Sequence, residues 1–308
     1  MKPTGIALHS AVFGFRNSLL KPALLFLALA FAVAGCSTTA PEPLEALDLS
    51  APTSSKYAAL VVDAATGRTL HQTNANAPRY PASLTKMMTM YMAFEALDSG
   101  RISKSTLIPV SANAAAEPAT KIGLRAGETI DVDTALRALA VKSANDVATA
   151  MGEYLGGSEQ GFAGLMTARA RQIGMRGTRF ANASGLPDAA QQTTARDMAV
   201  LGLALRSRFS HHYHYFAERQ FTYRGRLVRG HNDMLGRVAG VDGIKTGYIR
   251  ASGYNIVTSV RAGGRSLVIV VMGADTARAR NAEVERLIGR YLARARPGGG
   301  LTSLFARN

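Results

Sequence analysis

Strand-like segments lie at both ends of this chain and enclose a long helical middle. The candidate strands are short apolar or alternating runs at residues 57–62, 69–70, 254–260 and 266–272. The candidate helices have helical length and few breakers and cover residues 83–97, 132–155, 162–173, 195–205 and 277–295. Segments so far apart in the chain must share one sheet, so we predict an α/β (α+β) fold in which a helical insertion forms a cleft beside that sheet.

The N-terminal residues 1–35 contain basic but no acidic side chains, and an apolar run occupies residues 23–34. This pattern is typical of a signal peptide, and the run is too short to span a bilayer comfortably. We therefore predict that the protein is exported from the cytoplasm.

The predicted signal peptide has two possible cleavage sites. Val33-Ala34-Gly35-Cys36 resembles the lipobox of bacterial lipoproteins, and Cys36 is the single cysteine of the chain. A single cysteine excludes an internal disulfide. We predict lipid attachment at Cys36 and a periplasmic protein that contacts the membrane through this lipid alone. Ordinary cleavage after Ala34 also fits the small residues there and remains open.

The predicted signal peptide is followed by three segments of different composition. Residues 36–55 are rich in Pro, Ser and Thr and predict a flexible linker, residues 56–296 predict one folded domain, and residues 297–308 predict a disordered tail. The formal net charge of +15 is compatible with envelope polyanions. No nucleic-acid motif or aromatic interleaving accompanies the basic residues, so nucleic acid is not a predicted partner.

Three short motifs occur in order along the chain: Ser83-Leu84-Thr85-Lys86, Ser143-Ala144-Asn145 and Lys245-Thr246-Gly247. Together and in this order they resemble the motif set of penicillin-binding proteins and serine β-lactamases. Each motif alone is weak, because the chain also contains Ser18-Leu19-Leu20-Lys21 and Ser111-Ala112-Asn113. Order and local context select the first set.

Ser83 and Lys86 supply a nucleophile and a base. Pro81 precedes Ser83 and apolar residues follow, which predicts that Ser83 lies in the first turn of a buried helix. Residues three apart share a helix face, so Lys86 can take the Ser83 proton if burial or nearby cations lower its pKa. The alternative is an N-cap serine with a surface lysine.

Ser143 and Asn145 lie at a break between helical segments. Such a bend can direct both side chains into a cleft, where Ser143 would relay a proton to the leaving amine and Asn145 would hydrogen-bond a substrate amide. The alternative is an ordinary helix cap.

Lys245, Thr246 and Gly247 lie on a predicted strand with glycines on either side. Lys245 and Thr246 offer a cation and a hydroxyl to a substrate carboxylate, with Arg250 as the next candidate for that contact. The N–H groups of Tyr248 and Ser83 would form an oxyanion hole. The alternative is a surface edge strand.

Longer segments resemble the D-alanyl-D-alanine carboxypeptidases, the low-molecular-mass penicillin-binding proteins. They are P-A-S-L-T-K-M-M-T at 81–89, S-A-N-D at 143–146, F-A-N-A-S-G-L at 180–186, T-A-R-D at 194–197, G-V-D-G-I-K-T-G-Y at 240–248 and S-G-Y-N at 252–255. The resemblance covers roughly residues 56–275. It implies a penicillin-binding/serine β-lactamase-like fold, with an antiparallel sheet flanked by helices and a helical subdomain.

The resemblance also implies an activity. A serine-type D-Ala-D-Ala carboxypeptidase removes the terminal D-alanine from peptidoglycan stem peptides through an acyl-enzyme, here on Ser83, and β-lactam antibiotics inhibit it. No cofactor is expected. A D,D-endopeptidase acting on peptidoglycan cross-links and a wall-binding scaffold with little turnover remain alternatives.

Two positions depart from the family pattern. Ile249 and Ser252 stand where that pattern has Thr and Ala, which would alter substrate fit beside the strand.

His211, His212 and His214 lie close together in the sequence and suggest a metal site. No second group at metal-ligand spacing accompanies them in the sequence, so no metal is expected.

Overall fold

A computed structural model of the protein describes residues 54–298. The strands are β1 (Ala58–Asp63), β2 (Thr69–Thr73), β3 (Leu107–Pro109), β4 (Thr129–Asp131), β5 (Gln220–Tyr223), β6 (Arg226–Arg229), β7 (Val241–Ile249), β8 (Gly253–Ala262) and β9 (Arg265–Ala274). The helices are α1 (Lys86–Asp98), α2 (Ala112–Ala116), α3 (Val132–Arg137), α4 (Asn145–Gly156), α5 (Glu159–Gln172), α6 (Ala195–Arg208) and α7 (Ala277–Tyr291).

A five-stranded antiparallel sheet joins the two ends of the described chain in the order β2-β1-β9-β8-β7. Leu60 of β1 pairs with Val270 of β9, and Val270 pairs in turn with Val257 of β8. The prediction of one sheet built from distant segments is confirmed. β7 forms one edge of this sheet.

Both faces of the sheet are covered by helices. Along β9, Val268, Val270 and Met272 belong to the large core that α1 and α6 share, while Leu267, Ile269 and Val271 pack with α7. Strand side chains alternate between faces, so a strand buried on both sides reads as a continuous apolar run. The sheet therefore forms the central layer between α7 and the remaining helices.

The helical middle differs from the prediction in two places. β3 pairs with β4, and β5 pairs with β6, within the region between the first and last helices. The β5–β6 hairpin turns at Arg224-Gly225, where both residues have positive φ. A two-residue turn of this kind suits a tight hairpin, so local turn geometry favours strands here.

The predicted helical segment at residues 132–155 is interrupted. α3 passes into a π-helical turn at Ala138–Lys142, Ser143 adopts a left-handed conformation with φ 61° and ψ 38°, and α4 starts at Asn145. The predicted break at the Ser143 motif is thus present. It separates α3 from α4.

Several predictions concern residues at the chain ends. The signal peptide (1–35), Cys36, most of the linker (36–55) and most of the tail (297–308) lie outside the described residues. The boundaries of the catalytic domain (56–296) stay a prediction. Between residues 54 and 298, no helix combines the length and the apolar character needed to cross a membrane.

Candidate active site

A cleft of about 530 Å³ opens beside the edge strand β7. Side chains and backbone from all three motifs line it, together with residues near 119, 185, 230 and 280. The motif residues at its wall are Ser83, Ser143, Asn145, Thr246, Gly247 and Tyr248. Lys86 and Lys245 are buried beside these residues. The fold therefore brings together segments that lie more than a hundred residues apart in the chain.

Ser83 occupies a short 3-10 turn, Ala82–Thr85, that leads directly into α1. Lys86 Nζ donates a hydrogen bond to Ser83 Oγ at 3.2 Å, so the predicted pairing of these residues is present. The turn is held from outside, since Asn255 Nδ2 donates to the carbonyl oxygens of Tyr80 and Pro81 at 3.0 and 3.2 Å. The serine is thereby fixed at the start of a buried helix.

Lys86 is fully buried and has two further acceptors. Its Nζ donates to Asn145 Oδ1 at 2.7 Å and to the Ser184 carbonyl oxygen at 2.5 Å. Burial, followed by the positive charge of Lys245, holds the pKa of Lys86 well below its ordinary value. Because the lowered pKa favours the neutral amine, Lys86 can accept a proton from the serine.

Ser143 is 5% exposed, and its Oγ has no hydrogen-bond partner among residues 54–298. A buried hydroxyl without a partner normally costs about 1–3 kcal/mol. Ser143 has a left-handed backbone and is one of the residues that line the cleft. Its unpaired hydroxyl is the kind of group that a bound substrate can satisfy.

Asn145 is held by the protein on both sides of its amide. Its Oδ1 accepts from Lys86, and its Nδ2 donates to the Pro118 carbonyl oxygen at 3.0 Å. The loop that carries Pro118 is anchored by Asp146, whose carboxylate accepts from the N–H groups of Gly123 and Leu124. The shorter of the two hydrogen bonds of the Asn145 side chain is therefore the one with Lys86.

β7 passes very close to the nucleophile. A Cβ on Gly247 would lie 3.0 Å from the Ser83 nitrogen, so a larger residue would push the strand and the turn apart. Lys245 and Thr246 are buried, and Lys245 Nζ donates to the Thr246 carbonyl oxygen at 3.0 Å. Burial, followed by the charge of Arg280, lowers the pKa of Lys245 to about 7.

The end of β7 shapes the rim of the cleft. Tyr248 is 52% exposed, and its ring lies 4.3 Å from that of Tyr254, centroid to centroid. Ile249 lines the cleft, as expected for a position that affects substrate fit. Ser252 does not line it, because its hydroxyl is buried in the β7–β8 turn and donates to the Gly253 carbonyl oxygen at 2.7 Å.

Some site residues were not identified from the sequence. Arg280, near the start of α7, is buried and lines the cleft. Ser184 and Gly185 lie in the F-A-N-A-S-G-L segment, and Asn255 lies in S-G-Y-N. Those segments contribute to the family resemblance, which was the signal in the sequence for these residues. The resemblance did not assign a role to any of the three. The contacts these residues make cross the fold and leave no local pattern.

The competing Ser111-Ala112-Asn113 motif does not line the cleft. Ser111 is the N-cap of α2, where its Oγ accepts from the Ala114 N–H at 2.9 Å, and Asn113 donates to Glu153. The copy at residues 18–21 lies outside the described chain. Arg250 is exposed and does not line the cleft, whereas Arg280 does.

The reason for expecting no metal at the histidine cluster was wrong. The Asp98 Oδ1 atom lies 2.8 Å from His211 Nε2 and 2.9 Å from His212 Nε2. Asp98 ends α1, more than a hundred residues earlier in the chain. Only the packing of α1 against the segment after α6 brings this carboxylate to the imidazoles.

Comparison with known sequences gives one consistent result. A family model described as D-alanyl-D-alanine carboxypeptidase matches residues 46–276. The D-alanyl-D-alanine carboxypeptidase DacF of Bacillus subtilis is 34% identical over 235 residues, which cover 75% of this chain and 60% of that protein. The chain thus spans about 60% of the length of the curated relatives it matches.

Solved structures agree with the sequence comparison. Penicillin binding protein 5 from Haemophilus influenzae superposes with a TM-score of 0.75 at 30% identity, covering 79% of this chain and 72% of that one. Penicillin-Binding Protein D2 from Listeria monocytogenes, solved in its ampicillin-bound form, gives a TM-score of 0.66 at 29% identity, covering 75% and 95%. These likenesses and the antiparallel sheet with flanking helices confirm the predicted fold class.

Proposed function

Because the chain belongs to the D-alanyl-D-alanine carboxypeptidase family, we propose that it is a serine-type D-Ala-D-Ala carboxypeptidase acting on peptidoglycan stem peptides. The observation that carries the proposal is the contact between Lys86 Nζ and Ser83 Oγ at 3.2 Å, with the pKa of Lys86 lowered mainly by burial. This pair supplies a hydroxyl and a base that can activate it.

The proposed reaction has two stages. Ser83 Oγ attacks the carbonyl carbon of the penultimate D-alanine and passes its proton to Lys86 Nζ. The peptide C–N bond then breaks, and the proton held on Lys86 passes through the Ser143 hydroxyl to the departing nitrogen. D-alanine is released, and the rest of the peptide stays bound to Ser83 as an ester. Water hydrolyses this ester and restores the serine hydroxyl.

Ser143 is the proposed donor to the leaving nitrogen. Ser143 lines the cleft and its Oγ has no partner among residues 54–298, so it can hydrogen-bond the substrate without first breaking a protein contact. For Asn145 we propose a positioning role, because its Oδ1 accepts from Lys86 and its Nδ2 is tied to the 118 loop.

The Ser83 and Tyr248 N–H groups are the proposed oxyanion hole. The close approach of Gly247 to the Ser83 nitrogen supports this role, since it puts the edge strand beside the nucleophile. Backbone donors fixed in advance stabilise the oxyanion of a tetrahedral intermediate without reorganisation.

Lys245 and Thr246 are the proposed readers of the substrate carboxylate. Thr246 lines the cleft, and Lys245 is buried beside it with Arg280 near enough to lower its pKa. Two cations next to a hydroxyl form a site of positive potential that suits a terminal carboxylate. No contact among residues 54–298 favours the endopeptidase or scaffold alternatives.

Inhibition and location complete the proposal. β-Lactams should acylate Ser83, in keeping with the ampicillin-bound relative.

A substrate in peptidoglycan implies an extracytoplasmic protein, and the N-terminal sequence supports export to the periplasm with a lipid on Cys36. That cysteine lies outside the described residues.

Release of D-alanine tests the activity. The chain should liberate free D-alanine from a pentapeptide ending in D-Ala-D-Ala, and Ser83→Ala should abolish this. Intact-mass measurement after penicillin treatment should show one adduct on the wild type. An adduct that persists in Ser83→Ala would remove Ser83 from its proposed role.

A further inference from the structure

A carboxylate and two imidazoles converge at the C-terminal end of α1, at the opposite end of that helix from Lys86. Asp98 is the last residue of α1, and His211 and His212 lie in the segment that follows α6. We propose that Asp98, His211 and His212 bind a divalent transition-metal ion of the Zn²⁺ class. This site is independent of the proposed peptidase activity.

The three ligand atoms have the chemistry and spacing that such an ion requires. Two imidazole nitrogens and one carboxylate oxygen all lie within 4.8 Å of one another. Zinc binds such atoms at about 2.0–2.2 Å, so one ion fits between them after small side-chain adjustments. Asp98 and His211 are exposed enough for solvent to complete the coordination.

The position in the fold favours a cation. A helix C-terminus carries a partial negative charge, and a carboxylate there is electrostatically unfavourable. Both Nε2 atoms lie within hydrogen-bond distance of the same Asp98 carboxylate oxygen, so three ligand atoms already converge. A metal ion held between these three atoms compensates both the carboxylate and the helix end.

The imidazoles are also held in place. The His212 ring stacks on Phe94, which lies one turn before Asp98 in α1. The ring centroids are 4.9 Å apart and the ring planes are 20° from parallel. The His211 ring lies 4.1 Å from that of His212. His212 is also buried, so this packing holds its ring beside Asp98.

One neighbouring charge opposes binding. The positive charge of Lys104 lies close enough to His212 to lower the pKa of that imidazole, and the same charge would repel a bound cation. With three protein ligands and this repulsion, we expect micromolar rather than nanomolar affinity. Helix α1 has 13 residues and rises about 1.5 Å per residue, so the ion would sit roughly 18 Å from the start of the helix. Metal binding should therefore stabilise the packing of α1 without entering the cleft.

Calorimetric titration of the untagged, metal-stripped full chain with ZnCl₂ tests the site. The wild type should bind one ion and show a higher thermal unfolding midpoint with zinc. Asp98→Asn, which keeps the side-chain shape, and His211→Ala, which truncates an exposed ring, should each weaken binding at least about tenfold. Both variants should fold, so their loss of affinity reports on the ligands.

His214→Ala is the matched control. His214 lies two residues further on, but its Nδ1 contacts the His211 carbonyl oxygen at 3.1 Å and it does not belong to the converging group. This variant should bind zinc like the wild type, and penicillin acylation should be the same with and without zinc. The proposal would be overturned if the wild type showed no saturable zinc binding. It would also be overturned if Asp98→Asn and His211→Ala bound zinc with the affinity of the wild type.

Discussion

Gly185 lies against Ala82 so closely that a Cβ on Gly185 would be 1.9 Å from the Ala82 carbonyl oxygen. Gly185 also has φ +88°, a conformation that L-residues with a side chain rarely adopt. The turn that carries Ser83 is thus confined between Gly185 on one side and Gly247 on the other.

Gly185→Ala should therefore displace the nucleophile turn. Overpacking and the left-handed backbone together should cost about 2–4 kcal/mol in the free energy of unfolding, and penicillin acylation should be severely slowed. Gly164→Ala is the control, because Gly164 is exposed in α5 with open space around its Cβ position. Stopped-flow acylation and denaturant unfolding measure both effects. Wild-type acylation by Gly185→Ala would show that the turn has more freedom than its packing indicates.

Ser143→Ala should separate activity from stability. It removes a buried hydroxyl that has no partner in the described chain, so the fold should be unchanged or slightly more stable. Turnover should fall about 100- to 10,000-fold if this hydroxyl transfers the proton. Both quantities can be measured on one preparation by D-alanine release and urea unfolding.

Ser259→Ala provides the opposite case. The Ser259 hydroxyl is buried on β8, away from the cleft wall, and is hydrogen-bonded to Arg206, Asp242 and Tyr213. Its loss should destabilise the protein by about 1–3 kcal/mol and leave turnover per folded molecule unchanged. If the two serine variants behave alike, the hydroxyl of Ser143 has no special role.

The pH dependence should reflect two lysines. Lys86 must be neutral to act as the base, and its lowered pKa means that kcat/KM rises with pH well below the ordinary lysine range. Lys245 must be charged to bind a carboxylate, and its pKa of about 7 means that this contact is lost as pH rises through 7. The profile of the free-acid substrate should therefore be bell-shaped. An ascending limb near the ordinary lysine pKa would contradict the proposed state of Lys86.

Lys245→Ala should impair cleavage of a peptide with a free terminal carboxylate far more than cleavage of its C-terminal amide. Loss of a charge-assisted contact costs about 1.5–3 kcal/mol, or roughly ten- to a hundredfold in rate. Steady-state kinetics on the acid and amide substrates measure this difference. Equal slowing of both would assign Lys245 to proton transfer or to the oxyanion hole, and Arg280 would be the next residue to test.

Cys36→Ala should release the protein from membranes if Cys36 carries a lipid, because the proposed anchor is a single modified residue. Detergent phase partitioning of cell fractions measures this change. Equal partitioning of the wild type and the variant would favour ordinary cleavage after Ala34.

Much of the site could be predicted because its signals are local. Ser83 and Lys86 are three residues apart on one helical segment, and the break at Ser143 follows from the residues around it. The short pairs β3–β4 and β5–β6 were missed because a few residues in a helical region carry little periodicity. The roles of Asn255 and Gly185 were missed because each depends on a partner elsewhere in the fold.

The amino-acid sequence by itself determined the sheet formed from both chain ends, the pairing of Ser83 with Lys86, and the strand that bears Lys245. Tertiary structure alone decided the electrostatic state of these groups, since burial and the approach of Lys245 and Arg280 set the pKa values of the two lysines. It also decided that Asp98 meets His211 and His212. Sequence spacing specifies neighbours within a turn or a strand, whereas solvent exclusion and contacts across a hundred residues exist only once the chain has closed around its core.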